Sequence, residues 1–146
     1  MDAVAQFEAN DERRDRGHAI AQFLAQKRFA VVGASSDRTK YGNKVLRCYL
    51  QHARDAVPVN PKDAVVEGLT AFRSLSDMPG RPDAVSVVTP PKVTESVVEE
   101  AGRLGIRHLW MQPGAESEAA VARATALGMN VIAGGPCLLV ALGYRE

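Results

Sequence analysis

The chain predicts a three-layer α/β domain, a doubly wound parallel sheet of about five strands with helices on both faces. Three observations carry that expectation. Apolar runs of strand length recur, they alternate with amphipathic stretches of helical spacing, and 146 residues suffice for a single core. Of those residues 46% are hydrophobic and 24% charged, with a formal net charge of +1. This is an ordinary globular balance, which disfavours bulk attraction to nucleic acid or to an anionic membrane surface.

Residues 1–16 carry alternating charges (Glu8, Asp11, Glu12, Arg13, Arg14, Asp15, Arg16) and little apolar periodicity, so they read as a flexible N-terminal arm ahead of a domain spanning 17–146. From Gly17 to Gln26, Ile20, Phe23 and Leu24 fall at helical spacing. Phe29-Ala30-Val31-Val32-Gly33-Ala34 is apolar without alternation, the mark of a strand buried on both faces. A polar loop, 35–41, leads to a helix from Gly42 to about Ala53 with Val45, Leu46, Tyr49 and Leu50 in one stripe. Ala56-Val57-Pro58-Val59 is a second strand, stopped by Asn60-Pro61.

Residues 64–72 read as irregular or briefly extended around Gly68, and Ser74–Met78 as a capped single helical turn. Asp83–Thr89 is a strand, and Pro90-Pro91 opens a helix from about Lys92 to Leu104, closed by Gly105. Ile106–Met111 is the next strand, Glu116–Leu127 the next helix, Met129–Ala133 the last strand, and Cys137–Leu142 a final helical turn or two. Residues 124–144 hold no charged side chain, yet Gly128, Asn130, Gly134-Gly135-Pro136 and Gly143 divide them into pieces too short to span a membrane. This order of elements gives a Rossmann-like topology.

In such a sheet, ligands bind beyond the carboxyl ends of the strands, where the strand order reverses. Five short loops fall there: Gly33-Ala34-Ser35-Ser36, Asn60-Pro61-Lys62, Thr89-Pro90-Pro91, Gln112-Pro113-Gly114 and Gly134-Gly135-Pro136-Cys137. The first precedes a crossover helix, whose N-terminal N–H groups favour an anion such as pyrophosphate. Arg38, Lys40 and Lys44 add positive charge, although any one such cation is more often a solvated surface group. The spacing is not Gly-x-Gly-x-x-Gly, since after Gly33 the next glycine is Gly42. At the end of the second strand, Lys62 stands where NAD sites usually place a carboxylate. A cation there suits a phosphorylated ribose, in either NADP or coenzyme A.

A resemblance then appears. Val31–Asp37 with Lys40 and Gly42, Pro58-Val59-Asn60-Pro61, Gly68, Ser74–Pro79, Asp83, Trp110–Gly114 and the late Cys137 together resemble the small stand-alone CoA-binding protein family. That family is similar to the N-terminal CoA-binding domain of the succinyl-CoA synthetase alpha subunit. The resemblance implies that Gly33, Ala34, Ser35, Ser36, Arg38 and Lys40 hold the pyrophosphate of coenzyme A or an acyl-CoA. Asn60, Pro61 and Lys62 would lie near the adenosine ribose and its phosphate, Thr89 and Pro90 would flank the adenine or ribose, and Gln112, Pro113 and Gly114 would line the way to the pantetheine arm. The chain departs from the family pattern at Gly134-Gly135-Pro136, where charged residues are common, and at Thr89-Pro90-Pro91.

Cys137 at the presumed mouth reads either as a thiol facing a ligand thiol or as an unreactive packed cysteine, and Cys48 as a core residue. His18, His52 and His108 all fall away from the strands' carboxyl ends, and no Cys/His pair has metal-ligand spacing. The expectation is therefore a cytoplasmic, non-catalytic small-molecule binder without nucleic-acid or membrane partners, possible as a homodimer. Two alternatives stand beside it: a small NADP-linked oxidoreductase, and an interaction module of an acyl-CoA complex.

Overall fold

The computed structural model describes residues 15–146, so most of the expected N-terminal arm lies outside the described residues. Its first element is a helix over 15–24 (α1), which includes the last two residues assigned to the arm. In order follow β1 (Arg28–Val32), α2 (Tyr41–Gln51), β2 (Asp55–Val59), β3 (Val65–Val66), β4 (Leu69–Thr70), β5 (Ala84–Val87), α3 (Pro91–Arg103), β6 (His108–Met111), α4 (Glu118–Ala126) and β7 (Asn130–Ile132). A 3-10 turn occupies Leu75–Asp77, and a wide helical turn with π-type bonding occupies Leu139–Gly143.

Five strands pair in the order β2-β1-β5-β6-β7, every pairing parallel. The Rossmann-like fold is thus the one expected, with its order reversal between β1 and β5. Ladder pairs such as Val32 with Val59 and Val32 with Val87 bring the carboxyl ends of β1, β2 and β5 to one rim. The strands read as continuous apolar runs because both faces are covered. Phe29 and Val31 pack on one face with Phe23, Tyr49 and Trp110, while Ala30 and Val32 pack on the other with Val85, Val98 and Met111. Phe29 stacks on Tyr49 with centroids 4.8 Å apart, and Phe23 meets Trp110 edge-on at 5.4 Å. The buried Tyr49 hydroxyl is matched, lying 2.6 Å from Ser86 Oγ.

One local expectation is refined and one corrected. Residues 65–70, expected to be irregular or briefly extended, form an antiparallel two-stranded hairpin with Glu67 and Gly68 at its tip, both at positive φ, so the pairing is what the sequence reading lacked. Ser74 does not cap the turn after it through a backbone N–H; its hydroxyl donates to the Asp77 carboxylate at 3.1 Å.

Candidate functional site

At the carboxyl rim a cleft of about 650 Å³ opens between the ends of β1, β2 and β5. It is lined by Gly33, Ala34, Ser35, Lys40, Tyr41, Gly42, Asn60, Pro61, Lys62, Val88 and Pro90. A second hollow of about 270 Å³ adjoins it, lined by Thr89, Pro113, Gly114 and Ala115 together with Tyr41, Val88 and Pro90, which border both. The two form one bent trough across the reversal of strand order, the place the fold reserves for ligands.

Glycine makes the trough possible at two points. Gly33 has φ of +95°, and a Cβ built on it would stand 2.0 Å from the Val88 carbonyl oxygen. A Cβ on Gly42 would stand 2.0 Å from the Gly33 carbonyl oxygen. Backbone therefore lies directly on backbone where β1 turns into α2, a close approach that any side chain would prevent.

The electrostatics favour an anion. Helix α2 begins beside the cleft after Lys40, with no acidic residue in its first turn and, among the described residues, no side chain capping it. Its leading N–H groups and dipole face the rim unopposed. Lys40 and Lys62 line the cleft and are exposed. Among the described residues neither makes an ion pair.

The loops are braced by their own polar groups. Asn60 Nδ2 donates to the Ala34 carbonyl at 2.7 Å, while its Oδ1 accepts from the Lys62 and Asp63 backbone N–H groups at 2.6 and 2.9 Å. This one side chain fixes the turn after β2 and ties it to the turn after β1. Asn43, fully buried in α2, donates to the Ser35 carbonyl at 2.7 Å and to the Glu67 carboxylate at 3.0 Å. The Ser35 hydroxyl accepts from the Asp37 N–H at 3.0 Å.

Of the residues singled out in the sequence, Gly33, Ala34, Ser35, Lys40, Asn60, Pro61, Lys62, Thr89, Pro90, Pro113 and Gly114 line the trough. Four are turned elsewhere. Ser36 donates to the Asp63 carboxylate at 2.7 Å, and the Arg38 guanidinium lies 3.4 Å from the Glu67 carboxylate. Gln112 is fully buried, and Cys137 touches the Tyr41 hydroxyl from behind the wall. Tyr41, Gly42, Val88 and Ala115 line the trough without having been singled out for it; the signal for Gly42 was present, as the first glycine after Gly33.

The histidines are remote or engaged elsewhere. His108 opens β6 at the opposite rim, beside Asn130 Nδ2 at 3.2 Å, and burial holds its pKa below the usual imidazole value. His52 follows α2, and its ring nitrogen lies 2.7 Å from the Gly143 carbonyl. Among the described residues no group of three or more His, Cys, Asp or Glu side chains could hold a metal ion, and no helix is long and apolar enough to cross a membrane.

The comparisons agree with this geometry. A family model described as a CoA binding domain matches residues 27–143. The chain is 31% identical over 86 residues to the alpha subunit of an ADP-forming acetate–CoA ligase II from Pyrococcus furiosus, a match covering 58% of the chain and 19% of that subunit. It is 28% identical over 92 residues to an ADP-forming acetate–CoA ligase from Methanocaldococcus jannaschii, covering 63% and 13%. The matched regions thus span under a fifth of these two relatives. Among solved structures, a conserved hypothetical protein from Pyrococcus furiosus superposes with a TM-score of 0.74 at 38% identity, covering 79% of this chain and 98% of that one. A hypothetical protein from Pyrococcus horikoshii gives 0.80 at 29% identity, covering 86% and 87%.

Proposed function

The chain belongs to the CoA binding domain family, and on that premise we propose that it binds coenzyme A or an acyl-CoA in the trough, without catalysing a reaction on it. The observation that carries this reading is the convergence, at the reversal of strand order, of the uncapped start of α2 with Lys40 and Lys62. The close-packed turn at Gly33 and Gly42 supplies the cradle, because backbone N–H groups reach a phosphate only where no Cβ intervenes. Gly33, Ala34, Ser35 and Lys40 would hold the pyrophosphate. Asn60, Pro61 and Lys62 would hold the adenosine ribose with its 3′-phosphate, and Thr89, Pro90, Pro113 and Gly114 would border the arm. Arg38 could join the phosphates only by leaving Glu67.

A second reading, a module that works inside a larger acyl-CoA ligase assembly, has one specific support: relatives such as the two acetate–CoA ligases are much longer proteins, of which the chain matches a small part. A small NADP-linked oxidoreductase would use the same ribose-phosphate cation, but it would call for a Gly-x-Gly-x-x-Gly turn that this chain lacks.

A thermal-shift panel of CoA, acetyl-CoA, dephospho-CoA, NADPH and NADH separates these readings, since a ligand that binds only the folded state raises its melting temperature. The expected result is stabilisation by CoA and acetyl-CoA and none by NADPH; the reverse pattern overturns the proposal. Turnover of acetate, ATP and CoA by the purified chain alone would overturn the non-catalytic part.

A further inference from the structure

Tyr41 borders both halves of the trough and stands between the half that holds Lys40 and Lys62 and the half lined by Thr89, Pro113, Gly114 and Ala115. It is the first residue of α2, so its ring leaves the rim at the helix start. Its position is held from two further loops. The Leu138 backbone N–H donates to Gln112 Oε1 at 2.9 Å, which identifies that atom as the carbonyl oxygen, and the Tyr41 hydroxyl donates to the same atom at 3.1 Å. The hydroxyl's single proton is then used, so the Cys137 S–H is the donor in its contact with the Tyr41 oxygen. Burial pushes the Tyr41 pKa upward, keeping the hydroxyl protonated.

Three rim loops therefore meet at one phenol: the start of α2, the turn after β6 and the turn after β7. The Trp110 indole N–H holds the last of these in place through the Pro136 carbonyl at 3.0 Å. Gln112 is fully buried, and among the described residues its Nε2 has no partner. An amide donor left so is costly and is satisfied when an acceptor reaches it.

We propose that Tyr41 is the residue by which this chain discriminates ligands with an arm beyond the pyrophosphate from those without one, and that Gln112 and Cys137 are positioning residues that hold its ring as the partition between the two halves. The inference rests on the coenzyme A reading. In it Cys137 acts as a hydrogen-bond donor to the wall, not as a nucleophile toward the ligand. The second half of the trough accepts the amide-bearing, largely apolar chain of pantetheine, and the ring fixes the bend at which that chain enters.

The test is calorimetric titration at fixed ionic strength with CoA and with 3′-phospho-ADP, which shares every group up to the pyrophosphate and has no arm. Tyr41→Ala is expected to weaken CoA about tenfold while changing 3′-phospho-ADP less than about twofold. Tyr41→Phe keeps the ring but loses the hydroxyl that Gln112 and Cys137 hold, so its CoA preference should fall between wild type and Tyr41→Ala. Cys137→Ser, which retains a donor, should behave as wild type. If Tyr41→Ala does not give the wild-type circular dichroism spectrum, Tyr41→Leu replaces it in the same comparison. An equal loss for both ligands, or Tyr41→Phe as damaging as Tyr41→Ala, overturns the inference. Wild type binding neither ligand would instead remove the coenzyme A reading beneath it.

Discussion

Helices α2 and α4 both begin at the carboxyl rim of the same sheet, yet their first turns are built in opposite ways. At α4, Ser117 Oγ accepts from the Ala120 N–H at 3.0 Å and Glu118 sits in the first turn, so the helix answers its own dipole. At α2 the corresponding position is Lys40, with no acidic residue following and, among the described residues, no capping side chain. A self-capped start is a structural solution that stabilises the helix alone. A start left open beside two lysines and a bare glycine turn forgoes that stabilisation and is suited to an anion from outside. The contrast supports the proposed site on the β1 and β5 side of the rim.

The sharpest way to break that contrast is at the turn itself. Gly33→Ala places a methyl group against the Val88 carbonyl in a left-handed conformation, and we expect it to destabilise the fold by about 3 kcal/mol or more and to abolish CoA binding. Urea unfolding followed by calorimetry reads both losses. A variant with unchanged stability would mean that the backbone at β1 and β5 is less tightly opposed than the structure has it.

A smaller effect is expected at the charge. Lys62→Ala should weaken CoA about tenfold and dephospho-CoA hardly at all, because only the former carries the 3′-phosphate. Titration of both ligands checks this; equal losses would show that Lys62 serves the pyrophosphate or nothing. The smallest effect belongs to the other helix. Ser117→Ala should cost about 1 kcal/mol of stability, as loss of a cap does, and leave CoA affinity unchanged. A parallel loss of affinity would show that the α4 start is part of the site after all.

Much of this arrangement was legible in the residues because it is carried by local pattern. The unbroken run Phe29–Val32 announces a strand buried on both faces, and Asn60-Pro61 announces a turn that ends one. The rule for parallel sheets then selects the loops at Gly33, Asn60, Thr89 and Gln112 without any knowledge of their contacts. The hairpin at 65–70 was not legible, since two strands of two residues each hold no period to read.

Within the site, orientation was the missing information. Arg38 and Lys40 are equivalent by charge and by distance from Gly33, but Glu67, at the tip of that hairpin, faces Arg38 and turns it out of the cleft. Gln112 was expected to line the trough and is buried under it, because a residue directly after Met111 points to the α2 side of the sheet, where Tyr41 covers it. Tyr41 itself reads only as the last residue of a polar loop until β6 and β7 deliver Gln112 and Cys137 to its hydroxyl.

The most direct measurement is a crystal structure of the chain grown with coenzyme A. The account predicts the pyrophosphate at the open start of α2 between Gly33, Ser35 and Lys40, with the phosphorylated ribose at Asn60 to Lys62. Coenzyme A lodged at the α4 side, or anywhere else off the β1 and β5 trough, would contradict it.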